Sequence, residues 1–231
     1  IKSGTYAESL EDNIPGGSSW SAPVTVAAYP GHTVTLKPNS GAGWVLHFQG
    51  SQQYIVIDGL IIDAANAAID AVKITSGANH IRFIRSEIKN AQRQGVLITG
   101  QFTDWNEFIN VNVHDNGTSK FDHGLYISTS HNIVENSDIR HNTGFGVHIY
   151  EEDSPRADNN IIRNNRIFDN GYAAGGGAGI ILSSGDGNTA YNNLIWVNNA
   201  GGIFIGYINP SNTAVYNNTV YNNRDYGIYV E

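Results

Sequence analysis

A tyrosine and a histidine occupy matching positions in two short apolar segments of the chain. Tyr126 lies in Gly124-Leu-Tyr-Ile, and His148 lies in Gly146-Val-His-Ile. Side chains alternate along a strand, so both rings should leave the core on the same side. If the two segments are neighbouring strands, the rings lie ~5 Å apart, which is close enough for proton transfer. The pair therefore predicts general acid–base chemistry.

The same alternation predicts two outward rows of side chains and places two insertions beside them. The first insertion runs from Gly117 to His123 and precedes the strand of Tyr126, and the second runs from Glu151 to Arg156 and follows the strand of Tyr150. Long loops on a rigid scaffold are where function is usually found. The first row is His47, Lys73, Leu97, Tyr126, His148, Ile181, Phe204 and Tyr229. The second row is Gln49, Thr75, Thr99, Ser128, Tyr150, Ser183, Gly206 and Glu231.

An internal repeat supplies the elements that must position these rows. Of the 28 asparagines, 23 follow residue 105, and they recur as Asn, three residues, Asn, five residues, Asn, then Gly and an apolar strand. The clear copies start at Asn106, Asn132, Asn160 and Asn188, and a last copy starts at Thr213. Weaker copies surround Ile81–Ala91 and Tyr54–Ile62. A fixed recurrence of this length indicates a repeat architecture.

The repeat predicts an all-β fold, a parallel β-helix with three parallel sheets. Each unit holds three strand-sized runs, it is shorter than a βαβ unit, and no segment has a convincing helical apolar period. Asn suits the bends because it accepts left-handed backbone angles, and stacked Asn side chains can bond in ladders. We expect one such ladder to consist of Asn136, Asn164, Asn192 and Asn217.

Composition excludes several classes of function. The chain of 231 residues carries 13 basic and 21 acidic residues, a formal charge of −8, which disfavours nucleic acid as a partner. No apolar run is long enough to span a bilayer, so membrane insertion is not expected. The absence of Cys excludes disulfides, thiolate metal sites and cysteine nucleophiles.

The Asn-x3-Asn-x5-Asn…Gly-Ile-x-Ile pattern over residues 44–231 resembles the pectate-lyase-like right-handed parallel β-helix superfamily. The opening Gly4-Thr-Tyr-Ala-Glu is similar to a first coil of such proteins. The resemblance implies one β-helix domain over residues 1–231, with residues 1–43 as irregular N-terminal coils or a partial cap. We expect the chain to be a fragment of a longer one. The superfamily includes lyases, hydrolases, epimerases, tailspikes and adhesins.

The string Asp122-His-Gly-Leu-Tyr126 resembles parts of the active sites of alginate-type lyases and mannuronan epimerases. Those enzymes use a neutral His or Tyr at the sugar C5, with a cation neutralising the carboxylate. The resemblance implies that Tyr126 and His148 exchange protons and that Asp122 orients His123. It also implies that Lys73 or Arg93 neutralises a uronate. The predicted substrate-binding residues are Arg93, Tyr150, Glu151 and Phe204.

Two other kinds of site are considered. Asp58, Asp63 and Asp70 on one coil, and Glu151 with Glu152 and Asp153, carry the oxygen ligands that Ca²⁺ prefers, but a solvated acidic turn is the favoured interpretation. No cofactor is therefore expected, with Ca²⁺ left open. Glycoside hydrolysis would need two carboxyl groups about 5 to 9.5 Å apart, which Asp122 with Glu151 or Asp153 could supply. Hydrolysis ranks below elimination.

The leading hypothesis is a secreted or cell-surface enzyme, lyase-like or epimerase-like, acting on a uronate-containing polysaccharide. The alternative is a non-catalytic adhesive or glycan-binding solenoid, in which Tyr126, Tyr150, Phe204 and Tyr229 form a strip for sugar stacking. Open solenoid ends expose strand edges, so self-association through the ends is a further expectation.

Overall fold

A computed structural model describes residues 1–151, 157–173 and 175–231, and the described residues contain strands, turns and bends without a helix. The strands in chain order are β1 Gly4–Tyr6, β2 Leu10–Glu11, β3 Val24–Ala27, β4 Val34–Leu36, β5 Leu46–Phe48, β6 Gln53–Asp58, β7 Leu60–Asp63, β8 Val72–Ile74, β9 Asn79–Ile84, β10 Glu87–Lys89, β11 Val96–Ile98, β12 Glu107–Ile109, β13 Asn112–His114, β14 Leu125–Ile127, β15 Ile133–Glu135, β16 Asp138–Arg140, β17 Val147–Ile149, β18 Ile161–Arg163, β19 Arg166–Phe168, β20 Ile180–Leu182, β21 Thr189–Tyr191, β22 Leu194–Trp196, β23 Gly201–Ile205, β24 Ala214–Tyr216, β25 Thr219–Tyr221 and β26 Tyr226–Val230.

Every third strand joins the same sheet, which confirms the predicted parallel β-helix. The first sheet has nine strands in the order β1-β4-β7-β10-β13-β16-β19-β22-β25. The second has nine in the order β2-β5-β8-β11-β14-β17-β20-β23-β26, and the third has eight, from β3 to β24. All the paired strands run parallel, so each coil lies directly on the next.

Within one coil, alternation directs one set of side chains into a shared core. In the coil of β15, β16 and β17, the inward residues Val134, Ile139, Val147 and Ile149 are all buried. Phe83 and Phe108 stack in the same interior with ring centroids 5.1 Å apart. Burying a side chain of this size stabilises the fold by roughly 1.5–3 kcal/mol, but only after coils stack, because one coil alone cannot cover its apolar face.

Buried Asn side chains form three ladders along the axis. At each Asn, Oδ1 accepts a backbone N–H of the previous coil, and Nδ2 donates to Oδ1 of the Asn on the next coil. For example, Asn132 accepts from the Asn106 N–H at 3.0 Å and donates to Asn160 at 3.0 Å. One ladder is Asn106, Asn132, Asn160 and Asn188, a second is Asn116, Asn142, Asn170, Asn198 and Asn223, and a third is Asn165, Asn193 and Asn218.

The predicted ladder of Asn136, Asn164, Asn192 and Asn217 is wrong by one residue. These four residues do take left-handed backbone angles, with φ between 52° and 58°, but their side chains are exposed. Each bend uses two successive residues for two different purposes. The first adopts the left-handed backbone angle, and the side chain of the second points inward and bonds the neighbouring coils.

The glycine of each repeat is explained by the same ladders. A Cβ on Gly124 would lie 2.6 Å from the Gly146 carbonyl oxygen and 2.8 Å from Nδ2 of Asn142. A Cβ on Gly95 would meet the Gly124 carbonyl oxygen and Nδ2 of Asn116 in the same way. The Asn and Gly of each repeat therefore recur together, because the Asn side chains of the ladder pack against backbone that has no Cβ.

Residues 1–43 contribute β1 to β4, which pair in register with β4 to β7. Val34 and Leu36 of β4 belong to the buried core. Within the described chain, there is no helix of the length and apolarity that a membrane crossing requires.

Candidate functional site

The candidate site is an open cleft of about 520 Å³ on the outer face of the second sheet. Six of its fourteen described lining residues are Phe or Tyr, and polar groups lie among them, as is common in ligand sites. Its lining residues are Gln94, Lys120, Phe121, His123, Tyr126, Phe145, His148, Tyr150, Gly175, Gly176, Ile181, Ser183, Phe204 and Tyr207. A groove of about 660 Å³ elsewhere is lined by neither His nor Tyr among the described residues.

Strand pairing confirms the first predicted outward row, and backbone hydrogen bonds confirm the register of the second. Tyr126 of β14 pairs with His148 of β17, which pairs with Ile181 of β20 and then Phe204 of β23. The rings of Tyr126 and His148 lie 5.0 Å apart at 63°. In the second row, the backbone bonds of Ser128, Tyr150 and Ser183 have the same register on successive coils. The solenoid therefore brings Tyr126, His148, Tyr150 and Phe204 to one cleft.

Two histidines form a hydrogen-bonded relay whose tautomers follow from one backbone donor. The Phe145 N–H donates to Nδ1 of His123 at 3.0 Å, so a neutral His123 carries its proton on Nε2. That Nε2–H faces Nδ1 of His148 at 3.1 Å, which makes Nδ1 the acceptor. His148 then carries its own proton on Nε2, 3.1 Å from Oγ of Ser183. The relay runs in one direction, from Phe145 to Ser183.

Burial keeps both rings uncharged. Desolvation lowers the pKa of His123 from 6.5 to about 3, and the nearby Asp122 only partly opposes this effect. Desolvation also lowers the pKa of His148 well below its ordinary value, and the neighbouring His123 adds to the decrease. Removing an imidazolium from water without an ion-pair partner is unfavourable, so both rings are neutral at ordinary pH.

Asp122 holds the loop that carries His123. Its carboxylate accepts the backbone N–H groups of Thr118 and Ser119 at 3.0 and 2.7 Å, and no bond to the His123 ring occurs in the described structure. Gly144 packs beneath this loop, where an added Cβ would lie 2.5 Å from Nδ1 of His123. His123 is oriented by the backbone of Phe145 and by this close packing. The Asp122 carboxylate does not bond the His123 ring, and it acts through the loop.

Two of the predicted basic residues lie outside the cleft. Lys73 pairs with Leu97, which pairs with Tyr126, so two strand spacings of ~4.8 Å each separate Lys73 from Tyr126. Burial lowers the pKa of Lys73, while the nearby carboxylate of Asp70 opposes this effect. Arg93 is exposed and lies on a separate groove, with Thr118 and Asp122.

Several residues of the cleft were not predicted as site residues. Lys120 is an exposed ammonium on the cleft wall, 5.0 Å above the ring of Phe121. Phe145 supplies both a ring against His148, at 5.2 Å, and the N–H that fixes the relay. Ser183 is fully buried and ends the relay, and Tyr207 lies 5.8 Å from Tyr150. Ser183 carried a sequence signal as a member of the second outward row, and Lys120 and Phe121 carried one as members of the first insertion.

Glu151 is at the edge of the described structure. Its backbone N–H donates to Oγ of Ser184 at 2.7 Å. Glu152 and Asp153, considered as calcium ligands, and Asp153, considered as a hydrolytic carboxyl, lie outside the described residues. The described lining of the cleft contains no carboxylate.

The three acidic residues of the early coil do not converge. Each one bonds a different partner in a different sheet or turn, so their oxygens face apart. Asp58 pairs with Arg85, Asp63 with Lys37, and Asp70 accepts the Gln94 N–H. Across residues 1–151, 157–173 and 175–231, no three His, Cys, Asp or Glu side chains are arranged to hold a metal ion.

The three parallel sheets and the cleft on one of them define a parallel β-helix with a candidate saccharide-sized site. The sequence agrees with this fold, because the family described as right handed beta helix region matches residues 94–231. The chain belongs to this family. No curated protein sequence matches the chain.

Solved structures of similar fold include a pectate lyase, an alginate lyase and a mannuronan epimerase module. Pectate lyase Pel9A is 16% identical with a TM-score of 0.69, covering 96% of this chain and 69% of that one. An alginate lyase from Paenibacillus sp. str. FPU-7 is 17% identical with a TM-score of 0.71, covering 98% and 87%. The mannuronan C-5 epimerase AlgE6 A-module of Azotobacter vinelandii is 16% identical with a TM-score of 0.63, covering 93% and 62%. At this identity the likeness establishes the fold.

Proposed function

We propose that this protein is an extracellular or cell-surface enzyme, lyase-like or epimerase-like, that acts in the cleft on a uronate-containing polysaccharide. The observation that carries the proposal is the neutral His123–His148 relay beside Tyr126, in a cleft lined by aromatic rings. The pectate and alginate lyases and the epimerase of similar fold support the substrate class.

Elimination and epimerisation of a uronate begin with the same step. The C5 proton lies next to the carboxylate and becomes acidic when a cation neutralises that carboxylate. A base takes the proton, and the electron pair left on C5 either forms the C4=C5 double bond as the C4–O bond breaks, or takes a proton back on the other face. In elimination the departing oxygen takes a proton from an acid. The site must therefore supply a base, an acid and a cation.

The tautomers of the relay constrain the roles. The lone pair of His148 Nδ1 faces the His123 N–H, so His148 presents an N–H and acts as a hydrogen-bond donor. We assign the removal of the C5 proton to the phenol oxygen of Tyr126, after its own proton has passed to solvent. In elimination the same oxygen returns the C5 proton to the departing oxygen, and in epimerisation the new C5 proton comes from solvent on the other face. His148 Nε2–H then stabilises developing negative charge, in exchange for its bond to Ser183.

Lys120 is assigned the role of the cation. It is the basic residue on the described wall of the cleft, and its exposed position lets it reach a carboxylate that enters from solvent. Lys73 and Arg93 remain candidates for binding sugar units further along the chain. The rings of Tyr150 and Phe204 offer faces on which pyranose rings can pack, and Glu151 lies at the rim.

The proposal is tested with alginate, pectate, glucuronan and glycosaminoglycans in D₂O. We expect one of them to yield an unsaturated product, seen by its ultraviolet absorbance, or deuterium at C5, seen by NMR. Tyr126→Phe removes one oxygen and should abolish both signals. Tyr229→Phe, a variant of the same outward row three strands from His148, is the matched control and should be active. Wild-type protein that gives neither product nor exchange on any of the four would refute the proposal.

A non-catalytic glycan-binding role is the second candidate, favoured by the six aromatic rings of Phe121, Tyr126, Phe145, Tyr150, Phe204 and Tyr207 in the cleft lining. It predicts that alginate or pectate retards the wild-type protein in native affinity gels while no product forms.

A further inference from the structure

Four aromatic side chains form a second stack where the chain passes from the second sheet to the third, at the second residue of β6 and of β9 and two residues before β12 and β15. The stack, called here the aromatic turn ladder, consists of Tyr54, His80, Trp105 and His131. Ring centroids are 4.6 Å apart for Tyr54 and His80, 6.3 Å for His80 and Trp105, and 4.1 Å for Trp105 and His131. The rings of the last pair are almost parallel, at 5°. The ladder belongs to a different face from the cleft of Tyr126.

The backbone under this ladder takes an angle that disfavours large side chains. Tyr54, His80, Trp105 and His131 have φ of 51°, 53°, 64° and 60°, in the left-handed region. On the next three coils the equivalent position holds Asn159, Gly187 and Asn212, residues that adopt such angles readily. The fold accepts Asn or Gly at this turn, so the four rings are present despite a conformational cost. Residues held at such angles cluster at ligand sites.

The ladder opens onto a cleft of about 420 Å³. Trp20 stands at its edge, with Trp105, His131, Glu107 and Asn159 among the other lining residues. Trp105 is 50% exposed, although a ladder that served only to stabilise the turns would gain by covering this indole. An exposed apolar ring beside a carboxylate and an amide matches a pyranose, which has one face of C–H groups and a rim of hydroxyls.

Charge indicates which kind of sugar fits. The carboxylate of Glu107 is neutralised by Arg82, whose Nε and Nη2 donate to it at 2.7 and 2.9 Å. The Arg82 guanidinium also lies 3.9 Å above the Trp20 ring, so its charge is already engaged twice. The described lining contains no Lys or Arg of its own, in contrast to the cleft of Lys120. An acidic sugar would find no cation here to bind.

We propose that the aromatic turn ladder and Trp20 form a second saccharide-binding site that takes a neutral pyranose chain, which packs against the exposed part of the Trp105 indole. The site would hold the protein on a neutral polysaccharide while the cleft of Tyr126 remains free. The inference rests on the exposed indole, the paired carboxylate and the left-handed turns, and it is independent of any catalysis in the first cleft.

The experiment is native affinity electrophoresis in gels that contain hydroxyethyl cellulose, laminarin or galactomannan. The test variant is Trp105→Asn, because Asn159 occupies the same turn on a later coil and Asn relieves the left-handed angle. This variant should fold with an unchanged or higher melting temperature. We expect at least one neutral polymer to retard the wild type, and Trp105→Asn to weaken that affinity roughly tenfold or more.

Two controls separate the sites. Phe102→Ala removes another exposed aromatic ring, 74% exposed at a φ of 62°, from the same turn and should leave retardation unchanged. Tyr126→Phe should also leave it unchanged. The proposal is overturned if no neutral polymer retards the wild type, if Trp105→Asn is retarded as strongly as the wild type, or if Tyr126→Phe alone abolishes retardation. Concentration-dependent dimers that Trp105→Asn abolishes would overturn it too, since the indole would then contact a second copy.

Discussion

Nε2 of His123 lies 3.1 Å from Nδ1 of His148, and the direction of the hydrogen bond between them is set by a backbone amide outside both rings. The Phe145 N–H occupies Nδ1 of His123, so the proton of His123 must be on Nε2. Two neutral imidazoles therefore have one permitted arrangement of protons. Protonation of either ring would place two N–H groups against each other or against the Phe145 N–H.

The first prediction concerns stability against pH. The pKa of His123 is about 3 in the folded protein and near 6.5 when the chain unfolds, so between these values the unfolded state binds more protons. The stabilisation is fully present above the unfolded pKa and is lost as pH falls toward 3. From about pH 6.5 to about pH 5, the free energy of unfolding should fall by about 2 kcal/mol from this group.

Urea unfolding at several pH values measures this effect. The variant His123→Gln lacks the titrating ring and should lose about 2 kcal/mol less over the same interval. Its stability at neutral pH is the baseline for the comparison. Equal pH slopes for the wild type and His123→Gln would show that this ring is not held neutral by the fold.

The second prediction tests how the loop is held. Gly144→Ala adds a Cβ that would meet Nδ1 of His123 at 2.5 Å and the Asp122 carbonyl oxygen at 2.6 Å. We expect the loop to shift and the Phe145 N–H to lose its bond to His123, which NMR detects as a changed tautomer signature of the imidazole nitrogens. The matched control is Gly31→Ala, where an added Cβ meets no atom within 4 Å although φ is +80°. A Gly144→Ala protein with unchanged His123 signals would contradict the packing argument.

The third prediction distinguishes two lysines under the proposed function. Lys120 is on the cleft wall, whereas Lys73 lies two strands from Tyr126. Lys120→Met should lower kcat by roughly 10²-fold, since it removes the cation that stabilises the developing charge. Lys73→Met should raise KM with little effect on kcat. Initial rates on the active substrate measure both parameters, and the reverse pattern would assign the cation to Lys73.

The fold was predictable because its signals are periodic. The glycine before each strand anchors the alternation, so the row that joins Lys73, Tyr126, His148 and Phe204 could be placed without a structure. The surroundings of the site could not be placed in this way. Lys120 reaches the cleft through an insertion whose path depends on local contacts, including the bonds of Asp122 to its own loop, and such contacts leave no periodic trace.

The Asn repeat shows a related limit. Sequence spacing locates the bend, but two adjacent asparagines such as Asn164 and Asn165 are equivalent to a periodicity argument. Only the structure distinguishes their roles. Asn165 accepts the backbone N–H of Ser137 on the previous coil, and Ser137 accepts the backbone N–H of Val111 in the same way. A change of one residue in register exchanges an exposed side chain for a buried one.

The fourth prediction uses this pair. Asn165 is 1% exposed; its Oδ1 accepts the Ser137 N–H at 2.9 Å, and its Nδ2 donates to Val134 and Asn193 at 2.9 and 3.0 Å. Asn165→Ala leaves these buried groups unpaired and should lower the free energy of unfolding by about 2–4 kcal/mol. Asn164 is exposed at a φ of 58°, so Asn164→Ala should cost only about 1 kcal/mol, the penalty of a left-handed angle.

Asn164→Gly provides the control for this comparison. Glycine adopts the left-handed angle freely, so this variant should be close to the wild type, whereas Asn165→Gly should be at least as destabilised as Asn165→Ala. Thermal and urea unfolding of the four variants measure the order. Should Asn164→Ala prove as costly as Asn165→Ala, the amide of the left-handed residue would also be bonding the neighbouring coils, and the assignment of one role to each asparagine would fail.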